Sequence, residues 1–169
     1  MKRIGKQLLN ILEVYLPTAI FFLLIMTVFI QVVSRYGFNR PLPKFFELSI
    51  YSFVWSIYLG AALAKRYNQH IRFDLFYRKF STKTRAIVDI FFDGLTTVVM
   101  LLLVYPSIEY TIWNYKIKAS ALRIPWTYLL LCFPLFVCLI ILHNGFSIYH
   151  NFTRLLGKDT QPEEVPPWQ

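Results

Sequence analysis

A chain of 169 residues that is 56% hydrophobic, 18% aromatic and only 16% charged has too little polar surface to clothe a water-soluble domain of its length. With a mean hydropathy of +0.47 it reads as an all-α integral membrane protein with no room for a separate soluble domain. The net charge of +9 is a topology signal that also favours anionic lipid, and it gives no ground for binding nucleic acid.

Residues 1–13 form the first predicted element. Ile4, Leu8, Ile11 and Leu12 recur there at helical spacing with lysines opposite, which suits a short amphipathic helix on the cytoplasmic face. A membrane domain over 14–153 follows, with spans at about 14–34, 48–64, 88–110 and 125–150. Val14–Ser34 is 21 residues without a charge, enough to cross a hydrocarbon core that needs about 20. Pro17 falls in its first turn, where a proline costs little. The run is too long for the core of a secretory signal, and no small-residue cleavage site follows it.

Arg35 ends the first span and Glu47 opens the second, each at the helix pole that favours its charge. Pro41 and Pro43 disfavour continued helix between them, so the hairpin turns near the membrane surface. The expectation is an ion pair between Arg35 and Glu47 across the hairpin mouth. The second span is short, since Leu48–Ala64 holds 17 uncharged residues. Its end, LGAALA, sets Gly60, Ala61 and Ala64 on a small-residue face. Such a face lets another helix come close, either within this bundle or in a partner.

The longest connection, KRYNQHIRFDLFYRKFSTKTR, spaces Ile71, Leu75, Phe76 and Phe80 at helical intervals among basic residues and predicts a second interfacial helix. Ser81 and Thr82 offer a cap for the third helix. That helix poses a length problem: Gly94–Ile108, its uncharged part, makes roughly 22 Å against a core near 30 Å. To span, it must take in Asp93 with or without Asp89, or extend past Glu109 towards Trp113, and a carboxylate at mid-membrane costs about 3 kcal/mol. Asp89 and Asp93 therefore belong either at a helix N-terminus, with Arg85 four residues before Asp89, or against protein. Tyr110, Trp113, Tyr115, Trp126 and Tyr128 flank the third loop as an aromatic belt, and Lys116, Lys118 and Arg123 lie within it. The last span falls in 30 uncharged residues, Ile124–Thr153, with Pro125 in its first turn and Pro134 placed to kink it. The polar, proline-rich tail, 154–169, reads as disordered.

Orientation follows from the basic residues. Twelve lie in the N-terminal segment, the second loop and the tail, against six in the other two loops, which puts both termini in the cytoplasm. Chemical equipment is sparse. Cys132 and Cys138 share one helix, which cannot bring them together, and no CxxC exists. His143 and His150 are seven apart on one face of the last span, and the third histidine, His70, is in the basic loop, so no second helix supplies a haem ligand. No metal-ligand spacing, phosphate loop or nucleophile motif is present. The reading is a scaffold that is no enzyme and carries no cofactor. Two other classes stay open: a four-helix redox or haem anchor, and a small drug exchanger. The first calls for cysteine pairs or paired histidines, the second for an acid within Val14–Ser34.

Three islands carry a resemblance. Arg35-Tyr36, Phe38-Asn39 and Pro41-Leu42, followed by Glu47 and Trp55, form the first. Leu59-Gly60-Ala61-Ala62, Ala64, Arg66 and the run His70-Ile71-Arg72-Phe73-Asp74 form the second. Ala121-Leu122, Ile124-Pro125, Tyr128 and Pro134 form the third. In their order and four-helix context they resemble the small membrane subunit of tripartite ATP-independent periplasmic (TRAP) transporters, over about residues 14–150. The chain departs from that family in keeping only Glu47 before the second helix, in Ser120 where a proline is usual, and in the bulk of Phe73. The resemblance implies a non-catalytic subunit of the bacterial inner membrane that extends the static scaffold of a large membrane subunit. That large subunit carries the substrate and sodium sites, and a periplasmic binding protein delivers an organic acid of the sialic acid or C4-dicarboxylate type. Residue reading and resemblance together single out Arg35, Glu47, Gly60, Ala61, Ala64, His70, Asp74 and Asp93 as structural or interface residues. Lys116, Lys118 and Arg123 are candidates for docking the binding protein, with lipid headgroups as their alternative partner.

Overall fold

The computed structural model describes residues 7, 9–67 and 82–156, apart from the side chains of residues 82, 83 and 85. The start of the N-terminal segment, the connection that holds His70 and Asp74, the side chain of Arg85 and the tail from 157 lie outside the described residues.

A π-helical turn, Ile11–Tyr15, leads into α1, Leu16–Gly37. Then come α2, Pro43–Arg66, and α3, Thr82–Trp113, which ends in the 3₁₀ turn Asn114–Lys116. The single turn α4, Thr127–Leu130, precedes α5, Cys132–Leu155. Among the described residues there is no strand. Four stretches of the described residues are long and apolar enough to cross a membrane: Ile11–Gly37, Pro43–Arg66, Ala86–Lys116 and Thr127–Leu155.

The helices α1, α2 and α3 each outrun their uncharged stretch, because backbone hydrogen bonding continues through charged residues that end an apolar run. The length problem of the third span disappears in this way, since α3 has 32 residues. Its buried residues Ala86, Asp93, Ser107 and Thr111, with Asn114 in the following turn, recur at sums of three and four and so form one stripe. Phe91, Phe92, Leu95, Val98 and Leu102 are exposed. The polar side chains face protein and the apolar ones face outward, the pattern that lipid imposes. At the N-terminus, residues 9–15 run into α1 without a turn, so Ile11 is exposed and the carboxylate Glu13 is buried. The packed side of α1 is a narrow seam through Glu13, Pro17, Ile20, Leu24, Thr27, Gln31 and Ser34, alternately four and three residues apart.

Asn39, at φ 53°, reverses the chain just past α1. Ser34 closes that reversal from both sides: Arg40 N–H donates to Ser34 O at 3.0 Å and Ser34 Oγ donates to Arg40 O at 2.6 Å. Pro134 breaks the last span outright. It has no N–H for the carbonyl of Leu130, four residues earlier, and Leu130 is the last residue of α4.

The chain divides into two compact units, Met1–Leu63 with Ser107–Phe136, and Ala64–Pro106 with Val137–Gln169. In the first, Tyr58 packs edge-on against Phe133 at 5.7 Å and tilted against Phe136 at 5.4 Å, and Leu59 and Cys132 are buried. In the second, Ala86, Val137, Leu139 and Ile140 are buried.

Candidate functional site

In the first unit, residues 117–126 form a tight hairpin. Ala119 N–H donates to Ile124 O and Trp126 N–H to Ile117 O, both at 2.9 Å, and Lys118 bridges to Pro125. Arg123, at φ 57°, turns the chain back with its N–H on Ala119 O at 3.0 Å. A turn of this kind leaves the N–H groups of its middle residues without an acceptor, as the first turn of a helix does. Glu47 supplies the acceptor. Ala121 N–H donates to both of its carboxylate oxygens at 2.9 Å, and Leu122 N–H donates to Oε2 at 2.7 Å. A carboxylate fits because both oxygens accept and the charge strengthens each bond. The flanks are tied as well, with Thr127 Oγ1 donating to Thr111 O at 2.8 Å and Trp55 Nε1 donating to Tyr128 O at 2.9 Å.

This clasp replaces the expected ion pair. Arg35 is exposed and lies over the ring of Tyr36, 5.6 Å from its centroid. Two orphan N–H groups hold the carboxylate, whereas a solvated guanidinium gains little from pairing.

In the second unit a polar network joins three helices. Lys65 Nζ on α2 meets Asp93 Oδ1 on α3 at 2.5 Å, with 12% and 9% of their side chains exposed. Ser147 Oγ on α5 donates to Asp93 Oδ2 at 2.5 Å. Asn144 Nδ2 donates to Thr97 Oγ1 at 3.1 Å and to Asp93 O at 3.3 Å, while Thr97 Oγ1 donates to Asp93 O at 2.6 Å. Asn151 Nδ2 reaches Ser147 Oγ at 3.4 Å. Asp93 thus sits eleven residues past Thr82, away from the helix N-terminus, and its carboxylate is occupied within this chain. A buried charge is tolerated only when paired and hydrogen-bonded, and both conditions are met here. The sequence reading passed over Thr97, Asn144, Ser147 and Asn151. Their signal is small polar residues at i, i+3 and i+7 in an apolar span, which charged residues overshadow.

The small-residue face of α2 is only partly covered. Leu59 and Ala62 are the buried residues of that turn, Gly60, Ala61 and Ala64 are half-buried, and a Cβ added to Gly60 would meet nothing within 4 Å. Lys116, Lys118 and Arg123 are all exposed on the clasped loop or beside it. Tyr110, Trp113, Tyr115, Trp126 and Tyr128 are exposed in the same unit, and Glu109 is the last acid before the tail. His143 is buried, His150 is half-buried, and both are engaged. Cys132 and Cys138 are free thiols.

Fold and site together define a class, a multi-pass membrane scaffold whose polar side chains hold its own loop and helices in place. Residues 24–154 match the family model of tripartite ATP-independent periplasmic transporters, DctQ component, and the chain belongs to that family of small membrane subunits. A Haemophilus influenzae protein with the provisional name TRAP transporter small permease protein is 38% identical to it over 82 residues. That match spans about half the length of each chain, 48% in both.

Proposed function

We propose that this chain is the static small subunit of a sodium-coupled TRAP importer in a bacterial inner membrane. The family match over residues 24–154, which runs from within the first apolar helix to the end of the fourth, carries the reading. Both termini lie in the cytoplasm, on the strength of twelve basic residues against six. The chain pairs with a large membrane subunit that holds the substrate and sodium sites. Gly60, with open space at its Cβ position, and the half-buried Ala61 and Ala64 offer that subunit a small-residue face. The loop that Glu47 clasps then faces the periplasm, where Lys116, Lys118 and Arg123 meet a binding protein delivering an organic acid, of the sialic acid or C4-dicarboxylate type.

The test is reconstitution. Proteoliposomes with both membrane subunits and the binding protein should take up the acid under a sodium gradient, and those with this chain alone should not. Uptake by this chain alone, or undiminished uptake without it, would overturn the reading.

A further inference from the structure

The hairpin between α1 and α2 carries Arg35, Arg40 and Lys44, and from Arg35 to Phe46 it holds no acid. All three cations are exposed, and among the described residues none is ion-paired. Glu47, the nearest carboxylate in sequence, is taken up by the N–H groups of Ala121 and Leu122. Beside the cations stand three exposed rings, Tyr36 at 77%, Phe38 at 72% and Phe46 at 53%. Water is a poor neighbour for that much aromatic surface, and hydrocarbon is a poor neighbour for the cations. The membrane interface suits both, and the hairpin lies there because it joins the end of one span to the start of the next.

The hairpin is also held in one shape. Ser34 ties Arg40 through two hydrogen bonds, and Asn39 makes the reversal between them. Arg35 lays its guanidinium over the Tyr36 ring, 5.6 Å from the centroid, which steadies the fork while its N–H groups stay free for a ligand. We propose that this hairpin binds the headgroup of an anionic phospholipid, with Arg35, Arg40 and Lys44 as the phosphate-binding cations and the three rings at the level of the upper acyl chains. A planar guanidinium matches two phosphate oxygens at once, and Lys44 adds a point charge. An anionic headgroup is favoured over a zwitterionic one, whose own ammonium would face three cations that no acid in the hairpin offsets. An acidic protein surface in the periplasm would answer the charges and leave the rings without an apolar partner. The inference needs only that α1 and α2 cross a membrane, and it does not rest on the transport reading.

The experiment is photo-crosslinking of the full chain in phosphatidylcholine nanodiscs that contain a trace of phosphatidylglycerol with a diazirine in its headgroup. Mass spectrometry should find the label on residues 34–47. Unlabelled phosphatidylglycerol should compete it away, and the same amount of extra phosphatidylcholine should not. Replacing Arg35, Arg40 and Lys44 together by Gln should lower labelling of that segment at least about fivefold. The competition on the wild type decides even if the triple variant fails to fold. Label elsewhere on the chain with residues 34–47 bare would overturn the proposal, and so would equal competition by phosphatidylcholine or unchanged labelling of a folded triple variant. Loss of the label when the large membrane subunit is reconstituted alongside would also overturn it, assigning the cations to that protein.

Discussion

Removing the lysine from the Lys65–Asp93 pair should cost far more than removing the aspartate. In Lys65→Met the carboxylate stays where α3 holds it, 9% exposed and with Ser147 as its remaining side-chain donor. Breaking a buried pair from one side costs about 3–5 kcal/mol. The surviving serine bond places this case at the lower end, about 3 kcal/mol. Asp93→Leu strands a different charge. Lys65 is next to Arg66, the last residue of α2, and its flexible stem lets the ammonium reach the interface. What remains is mostly the unpaired Ser147 hydroxyl, about 1–2 kcal/mol. The double variant strands no charge and should lie within about 1 kcal/mol of Asp93→Leu, giving a coupling of about 2–3 kcal/mol. Reversible unfolding in mixed detergent micelles, run on all four proteins, measures this cycle. If Lys65→Met costs under about 1 kcal/mol, or the two single costs simply add, the pair is solvated and the reasoning fails.

Glu47→Gln puts an NH₂ group where one acceptor oxygen was, so amide exchange at Ala121 and Leu122 should quicken at least about tenfold while α2 keeps its protection. Unchanged exchange would mean that the hairpin holds itself. Arg123→Val forces a β-branched residue into the left-handed region at φ 57° and should cost about 1–2 kcal/mol, while Arg123→Gly should not destabilise; equal melting of the two variants would refute this. Gly60→Leu, entering open space, should leave the stability of the chain within about 0.5 kcal/mol yet weaken co-purification with the large subunit. Intact association would turn that face toward lipid. Replacing Lys116, Lys118 and Arg123 together by Gln should raise the binding-protein concentration for half-maximal uptake and leave assembly unchanged; an unaltered half-saturation would assign the three cations to headgroups.

Residue by residue, the bilayer is a demanding solvent, and its demands are written in local composition. The length of Val14–Ser34, the proline in the first turn of that span and the aromatic residues around the third loop can be read without any knowledge of contacts, because each reflects a transfer cost paid by the residue itself. The same reasoning forced Asp93 to an edge or against protein. It could not choose between them, since the choice depends on Lys65, 28 residues away on another helix. Glu47 shows the limit more sharply. Helix-pole electrostatics placed it at the start of α2 and offered Arg35, its neighbour across a short turn, as partner. The donors that hold it are backbone N–H groups 74 and 75 residues away, in a loop with no carboxylate of its own. Backbone donors carry no sequence signature, so only the folded turn, which leaves them without acceptors, reveals that they need one. Span number and composition were thus settled by what each residue costs in lipid, and the pairing of the buried polar groups was settled by which helices the tertiary structure brings together.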